Sequence, residues 1–162
     1  LLNIRRIEFF ENNQGAFTMK IKTIIAAFGV LFSLHALADV TNAEKLVYKY
    51  TNIAHSANPM YEAPSITDGK IFFNRKFKTP SGKEAACASC HTNNPANAGK
   101  NMVTGKEIPP LAPRVNTKRF TDIDKVEEEF TKHCNDILGA DCSPSEKANF
   151  IAYLLTETKP SK

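Results

Sequence analysis

The stretch Cys87-Ala88-Ser89-Cys90-His91 sets two thiols three positions apart and puts an imidazole directly after the second. Three positions is close to one helical turn, so both sulfurs face the same way and the imidazole travels with them. This is the pattern of covalent c-type haem attachment, in which the two thiols form thioethers and the adjacent His becomes the proximal iron ligand. Two other readings of the cysteine pair fit less well. A thioredoxin-like redox dithiol sits in a βαβ setting, and the chain shows no convincing run of alternating β-branched residues. A structural zinc site would recruit Cys134, Cys142 or His133, but zinc ligands come in tight pairs, and the eight-residue separation of Cys134 and Cys142 is not one.

Upstream of the motif, Met19-Lys20-Ile21-Lys22 is a basic start to an apolar run from Ile24 to Leu34, closed by Ala36-Leu37-Ala38 before Asp39. That is the shape of a secretory signal peptide, too short in its apolar part for a stable membrane span. Residues 1–18 precede the first Met and are read as an upstream segment outside the natural product; residues 19–38 are read as the signal peptide. The expected product is a single haem-bearing domain, residues 39–162, exported to the periplasm with no transmembrane span after cleavage. The formal charge falls from +4 for all 162 residues to +2 for those 124, which hold 17 Lys+Arg against 15 Asp+Glu. With no Lys/Arg run or basic-aromatic stripe, nucleic acid is not an expected partner.

Export also decides the remaining cysteines. Free structural thiols do not persist in an oxidising compartment, so Cys134 and Cys142 are expected to form a disulfide worth about 2 to 3 kcal/mol. The domain reads as all-α. Thr41 or Asn42 caps a helix over 43–54 with Leu46, Val47, Tyr50 and Ile53 at helical spacing, and Ser65 or Thr67 caps a second with Gly69, Ile71, Phe72 and Phe73 on its core face. Pro95, Gly99, Gly105, Pro109, Pro110 and Pro113 leave residues 91–116 little room for regular structure, and loops that long usually wrap something. Thr121 with Asp124 marks a third helix, with Ile123, Val126, Phe130 and Ile137 on one face and Gly139 as its stop. Ser143-Pro144-Ser145-Glu146 is a full start signal for the last helix, which buries Phe150, Ile151, Tyr153 and Leu154.

The second axial position of the iron stays open on residue chemistry alone. Met102, Met60, His55 and His133 all compete, and none stands out; His133 sits beside the expected disulfide.

Two longer stretches then become informative. Pro109-Pro110-Leu111-Ala112-Pro113-Arg114-Val115-Asn116-Thr117-Lys118-Arg119-Phe120-Thr121-Asp122 and Cys134-Asn135-Asp136-Ile137-Leu138-Gly139-Ala140-Asp141-Cys142, with Gly69-x-x-x-Phe73 and the haem motif, resemble the SHP-type (sphaeroides haem protein) monohaem cytochromes c. The resemblance implies a class I cytochrome c fold wrapped around one covalent haem c, with the helix of Gly69 crossing the last helix near Tyr153. It also implies that Asn116 is the distal iron ligand in the oxidised state. The family often has Pro after that Asn, and Thr117 departs from this. An amide oxygen suits ferric better than ferrous iron, so reduction would release it and let dioxygen, nitric oxide or carbon monoxide bind.

Arg114 and Arg119 are the candidates for pairing with haem propionates. By resemblance, the electron donors are a dihaem cytochrome c and a membrane cytochrome b. The resulting expectation is a redox carrier and diatomic-binding haem protein rather than a dedicated enzyme, with reduction of a terminal oxidant left open. A simple electron shuttle with a permanent Met or His ligand, or an exported thiol-disulfide protein using Cys87 and Cys90, are the alternatives.

Overall fold

The computed structural model describes residues 41–161; the expected upstream segment and signal peptide lie outside the described residues. Helix α1 (Asn42–Ala57) opens at Thr41, whose hydroxyl accepts from the Glu44 backbone N–H while the Glu44 carboxylate accepts from that of Thr41. This reciprocal capping box satisfies donors that a helix start leaves bare. Ala43, Leu46, Tyr50 and Ala54 form its buried stripe. Ile53, expected on the core face, falls at the edge of that stripe and is 44% exposed.

Helix α2 (Ile66–Asn74) is capped by Ser65 and buries Gly69, Phe72 and Phe73, while Ile71 turns outward against expectation. A Cβ on Gly69 would stand 2.0 Å from the Asn149 carbonyl oxygen and 2.9 Å from Tyr153 Cβ. Only glycine allows so close a crossing with the last helix, as the resemblance implied.

Two short ribbons follow that the sequence reading did not anticipate. Strand β1 (Phe77–Lys78) pairs antiparallel with β2 (Glu84–Ala85), and β3 (Gly99–Lys100) with β4 (Glu107–Ile108). Two-residue strands carry no readable period, so alternation has nothing to register. Between the ribbons lies the single helical turn α3 (Cys87–His91). The architecture remains all-α, with these ribbons as trimmings.

Helix α4 (Ile123–Leu138) is capped by Asp122, which accepts from the Lys125 N–H at 3.0 Å. Thr121, the expected cap, instead donates its hydroxyl to the Lys118 carbonyl. Gly139 ends α4 in the left-handed region at φ 77°, where glycine carries no steric penalty. Helix α5 (Pro144–Thr156) starts on the Ser143/Glu146 capping box with Pro144 at its first position. The core forms where α1 and α2 pack on α5, around Leu46, Phe73, Ile151, Tyr153 and Leu154. Each large side chain buried there stabilises the fold by roughly 1.5 to 3 kcal/mol. Among the described residues no helix is long and apolar enough to cross a membrane.

Candidate haem site

Helix α4 presents Val126, Phe130 and Ile137 to a cavity of about 860 Å³. The other walls come from Cys87, Cys90 and His91 of α3, from Ile108, Pro109 and Leu111, and from Phe72, Phe150 and Leu154. Such a space has the size and apolar lining of a cofactor site. Gly99 sets the position of α3, since a Cβ there would lie 2.1 Å from the Cys90 carbonyl oxygen and 2.9 Å from His91 Cα.

His91 and His133 both line this cavity. Their ring centroids are 6.3 Å apart and the ring planes are perpendicular. Two metal–imidazole bonds of about 2.0 Å, each extended by about 1.2 Å from nitrogen to ring centre, put opposed centroids about 6.4 Å apart. Two thiols on one turn, an apolar cavity beside them and an imidazole pair at that spacing all fit a covalent haem c. Burial first, then the neighbouring His133 and Arg119, lower the His91 pKa to about 4. Its imidazole is neutral at pH 7, which is the form that binds metal. Burial pushes the Cys87 thiol up to about 11.

His133 makes a second contact: its Nε2 lies 3.0 Å from Glu129 Oε2, one turn back on α4. The next residue, Cys134, is buried in a cluster with Phe72 and Cys142 that forms another part of the cavity wall. The Cys134 and Cys142 sulfurs are at disulfide distance, with Cα atoms 5.5 Å apart.

The other residues singled out from sequence separate clearly. Asn116 lines the cavity, but its Nδ2 donates to the Pro110 carbonyl at 3.0 Å and its Oδ1 accepts from the Lys118 N–H at 3.3 Å. Arg119 also lines it, donating to the carbonyls of Pro109 and Pro110 at 2.9 and 3.0 Å. Arg114 is not brought to the cavity; its Nε donates to Leu155 O near the end of α5, where basic groups suit the helix dipole. Met60 and Met102 are exposed and His55 bonds the Tyr61 carbonyl, so none of these three reaches the cavity. Of the four Met and His candidates for the second axial position, only His133 lines the cavity. Val126, Phe130, His133 and Ile137 recur at spacings of four, three and four, so the imidazole belongs to the apolar stripe of α4.

Comparison with known proteins agrees with this geometry. Residues 59–154 match a family described as a domain of unknown function, DUF1924. The chain is 96% identical to cytochrome c'' of Methylophilus methylotrophus over 144 residues, covering 89% of this chain and all of that protein. It is 43% identical to the cytochrome c-type protein SHP of Cereibacter sphaeroides over 72 residues, covering 44% of this chain and 55% of SHP.

The crystal structure of oxidised cytochrome c'' superposes with a TM-score of 0.72 at 97% identity, over 76% of this chain and all of that one. A solution structure of cytochrome c'', described as giving insights into the structural basis of haem-ligand detachment, matches equally. Oxidised SHP, described as an oxygen-binding cytochrome c, superposes at TM-score 0.60 and 33% identity, over 70% of this chain and 96% of that one. A haem-attachment motif at the edge of a haem-sized cavity, in an all-α fold shared with these proteins, means that the chain belongs to the family of cytochrome c'' and the SHP cytochromes c.

Proposed function

We propose that this chain is an exported haem c protein in which Cys87 and Cys90 hold the haem and His91 is the proximal ligand. In the oxidised state His133 is the distal ligand and leaves on reduction. When bound, haem c supplies one-electron chemistry and, with one axial position free, an iron site for a diatomic molecule. The observation that carries the reading is the pair of cavity-lining imidazoles, His91 and His133, with ring centres 6.3 Å apart.

Release of His133 has a physical basis in this chain. Its Nε2 can bond either iron or Glu129 Oε2, which lies 3.0 Å away, but not both at once. Glu129 therefore offers the nitrogen another partner whenever the bond to iron weakens. Haem-ligand detachment and oxygen binding, said of the solved relatives, support carrying this to a ferrous haem that takes dioxygen or nitric oxide. Arg119 is the propionate candidate that remains at the cavity. A Cys134–Cys142 disulfide and a leader over residues 19–38 go together with assembly in the periplasm.

A second reading keeps Asn116 as the distal ligand, favoured by the SHP resemblance and by its place in the cavity wall. To serve, its amide must give up the bonds to Pro110 and Lys118. Spectra of ferric and dithionite-reduced protein, with and without carbon monoxide, test both readings. His133→Ala is expected to turn the ferric form high-spin, with Asn116→Ala remaining low-spin. The opposite result would transfer the assignment to Asn116. A wild-type ferrous form that stays six-coordinate and ignores carbon monoxide would leave a plain electron shuttle with a permanent ligand.

A further inference from the structure

We propose that the β3–β4 ribbon is the docking surface for an acidic one-electron donor protein, with Met102 and Val103 as its apolar centre and Lys100, Lys106 and Lys118 as its charged flank. The proposal rests on the haem reading above and names the chemistry of the partner.

Three independent features meet at this ribbon. The first is its foundation: Gly99 sits against the Cys90 carbonyl and His91 Cα with no space for a side chain, and Asn101 and Ile108 line the cavity. A partner resting on the ribbon is therefore close to the haem-bearing residues.

The second is its tip. Met102 and Val103 are adjacent and 72% and 94% exposed. The turn that holds them is nonetheless built firmly. Asn101 Oδ1 accepts from the N–H groups of Val103 and Thr104 at 2.9 and 2.8 Å, and its carbonyl accepts from Gly105 N–H at 2.8 Å. Gly105 takes the left-handed φ of 72° that closes the loop. Ordering a turn to hold two apolar side chains in water gains nothing from burial within this chain, whereas a preordered apolar tip lowers the cost of binding a partner.

The third is charge. Residues 99–120 carry Lys100, Lys106, Arg114, Lys118 and Arg119 against Glu107, a balance of +4. Residues 121–162 carry five lysines against nine carboxylates, a balance of −4. Helix α4 alone carries Asp124, Glu127, Glu128, Glu129 and Asp136 against Lys125 and Lys132, whereas the cavity wall is mixed, with Lys118, Arg119 and Lys125 alongside Asp122 and Glu129. Lys100, Lys106 and Lys118 form no ion pair among the described residues. The resulting field turns a negatively charged partner toward the ribbon and away from α4. The donor gives up one electron to the ferric haem, and the ribbon itself transfers neither proton nor group.

The test uses the ferric holoprotein, wild type and the double variants K100E/K106E and M102S/V103S. Reduced flavodoxin serves as a small acidic donor, and hexaammineruthenium(II) as a small cationic one. Stopped-flow reduction by flavodoxin at low salt is expected to slow about tenfold on charge reversal and about threefold on loss of the apolar tip, the gap closing at high salt. The ruthenium complex should reduce every form at least as fast as wild type. Titration with oxidised flavodoxin should move the NMR signals of residues 101–104 in wild type and not in K100E/K106E. Flavodoxin rates unchanged in both variants, or equal losses with the ruthenium complex, would overturn the docking assignment. A chain that takes up no haem would be reduced by neither donor, yet the titration would still report docking, so the two failures are distinguishable.

Discussion

Helices α4 and α5 begin by the same local rules and end in different situations. Each has a side-chain N-cap, acid in its first turn and an apolar face. Helix α5 buries Ala148, Ile151, Tyr153 and Leu154 against α1 and α2, whereas α4 buries Cys134 alone and gives its apolar stripe to the cavity. A helix of this length is marginal in water by itself, so what its apolar face meets decides whether it persists. For α5 that partner is the chain; for α4, Ile123, Val126 and Phe130 also touch the core, and the cavity side of the stripe is left to the haem proposed there.

Polar fastenings make up part of the difference. Glu127 takes Lys49 Nζ at 2.7 Å and the Tyr50 hydroxyl, and Asn42 Nδ2 donates to the Thr121 carbonyl at 3.2 Å. Beyond the far end of α4, the buried Lys147 ammonium bonds Asp141 at 2.9 Å.

The widest test of this contrast removes the attachment of haem. In Cys87→Ser/Cys90→Ser, α4 is expected to lose hydrogen-exchange protection while α2 and α5 keep most of theirs. The stability lost is on the order of 4 kcal/mol or more, the scale on which a tightly bound group stabilises the state that holds it. Uniform loss of protection across α2, α4 and α5 would show that the molecule has no haem-independent scaffold.

Gly69→Leu strikes the other side of the comparison. Its Cβ would meet backbone at Asn149, which a rotamer change cannot relieve, so α2 and α5 must separate. A loss of about 3 to 4 kcal/mol is expected by urea denaturation of the haem-loaded protein. A loss under about 1 kcal/mol would mean that the crossing tolerates a wider gap.

What the sequence made legible follows the same division. The caps at Thr41, Ser65 and Ser143, the stop at Gly139 and the packing role of Gly69 are local or small-residue signals, and all of these appear in the structure. Thr121 and Asp122 are neighbouring cap formers, and only tertiary placement chose between them. The proposed role of His91 was readable from the motif it closes. The role proposed for His133 was not, because it depends on meeting a residue far away in sequence at the cavity, and a neighbouring cysteine gave its position a blander explanation. Its membership of the α4 stripe was visible, but a polar residue on an apolar face reads as tolerated until the opposing imidazole is located.

The Cys134/Cys142 closure gives a smaller effect on α4 than haem does. Cys134→Ser/Cys142→Ser is expected to cost about 2 to 3 kcal/mol in thermal or urea unfolding. The change should appear first as fraying of the last turn of α4, measured by exchange at residues 134–138. A double variant as stable as wild type would mean that Lys147 with Asp141 suffices to hold that end.

The smallest expected effect concerns the clasp at Glu127. Burial raises the pKa of its carboxyl, but hydrogen bonds from Lys49 and Tyr50 and the charge of Lys49 outweigh this and hold it below the ordinary glutamate range. A depressed carboxylate stabilises the fold above its unfolded pKa, and that contribution disappears as pH falls through the lower folded value. Glu127→Gln should therefore be less stable than wild type by about 1 kcal/mol at pH 7. The deficit should stay flat down to about pH 4.5 and shrink below it. Tyr50→Phe tests which half of the clasp matters: it removes one hydrogen bond and leaves the Lys49 pair intact, so it should lose less at pH 7 and retain part of the pH dependence. A Glu127→Gln deficit unchanged from pH 7 to pH 3 would show that α1 holds α4 by shape and packing, and that the charge of Glu127 contributes nothing to keeping the helix against the haem.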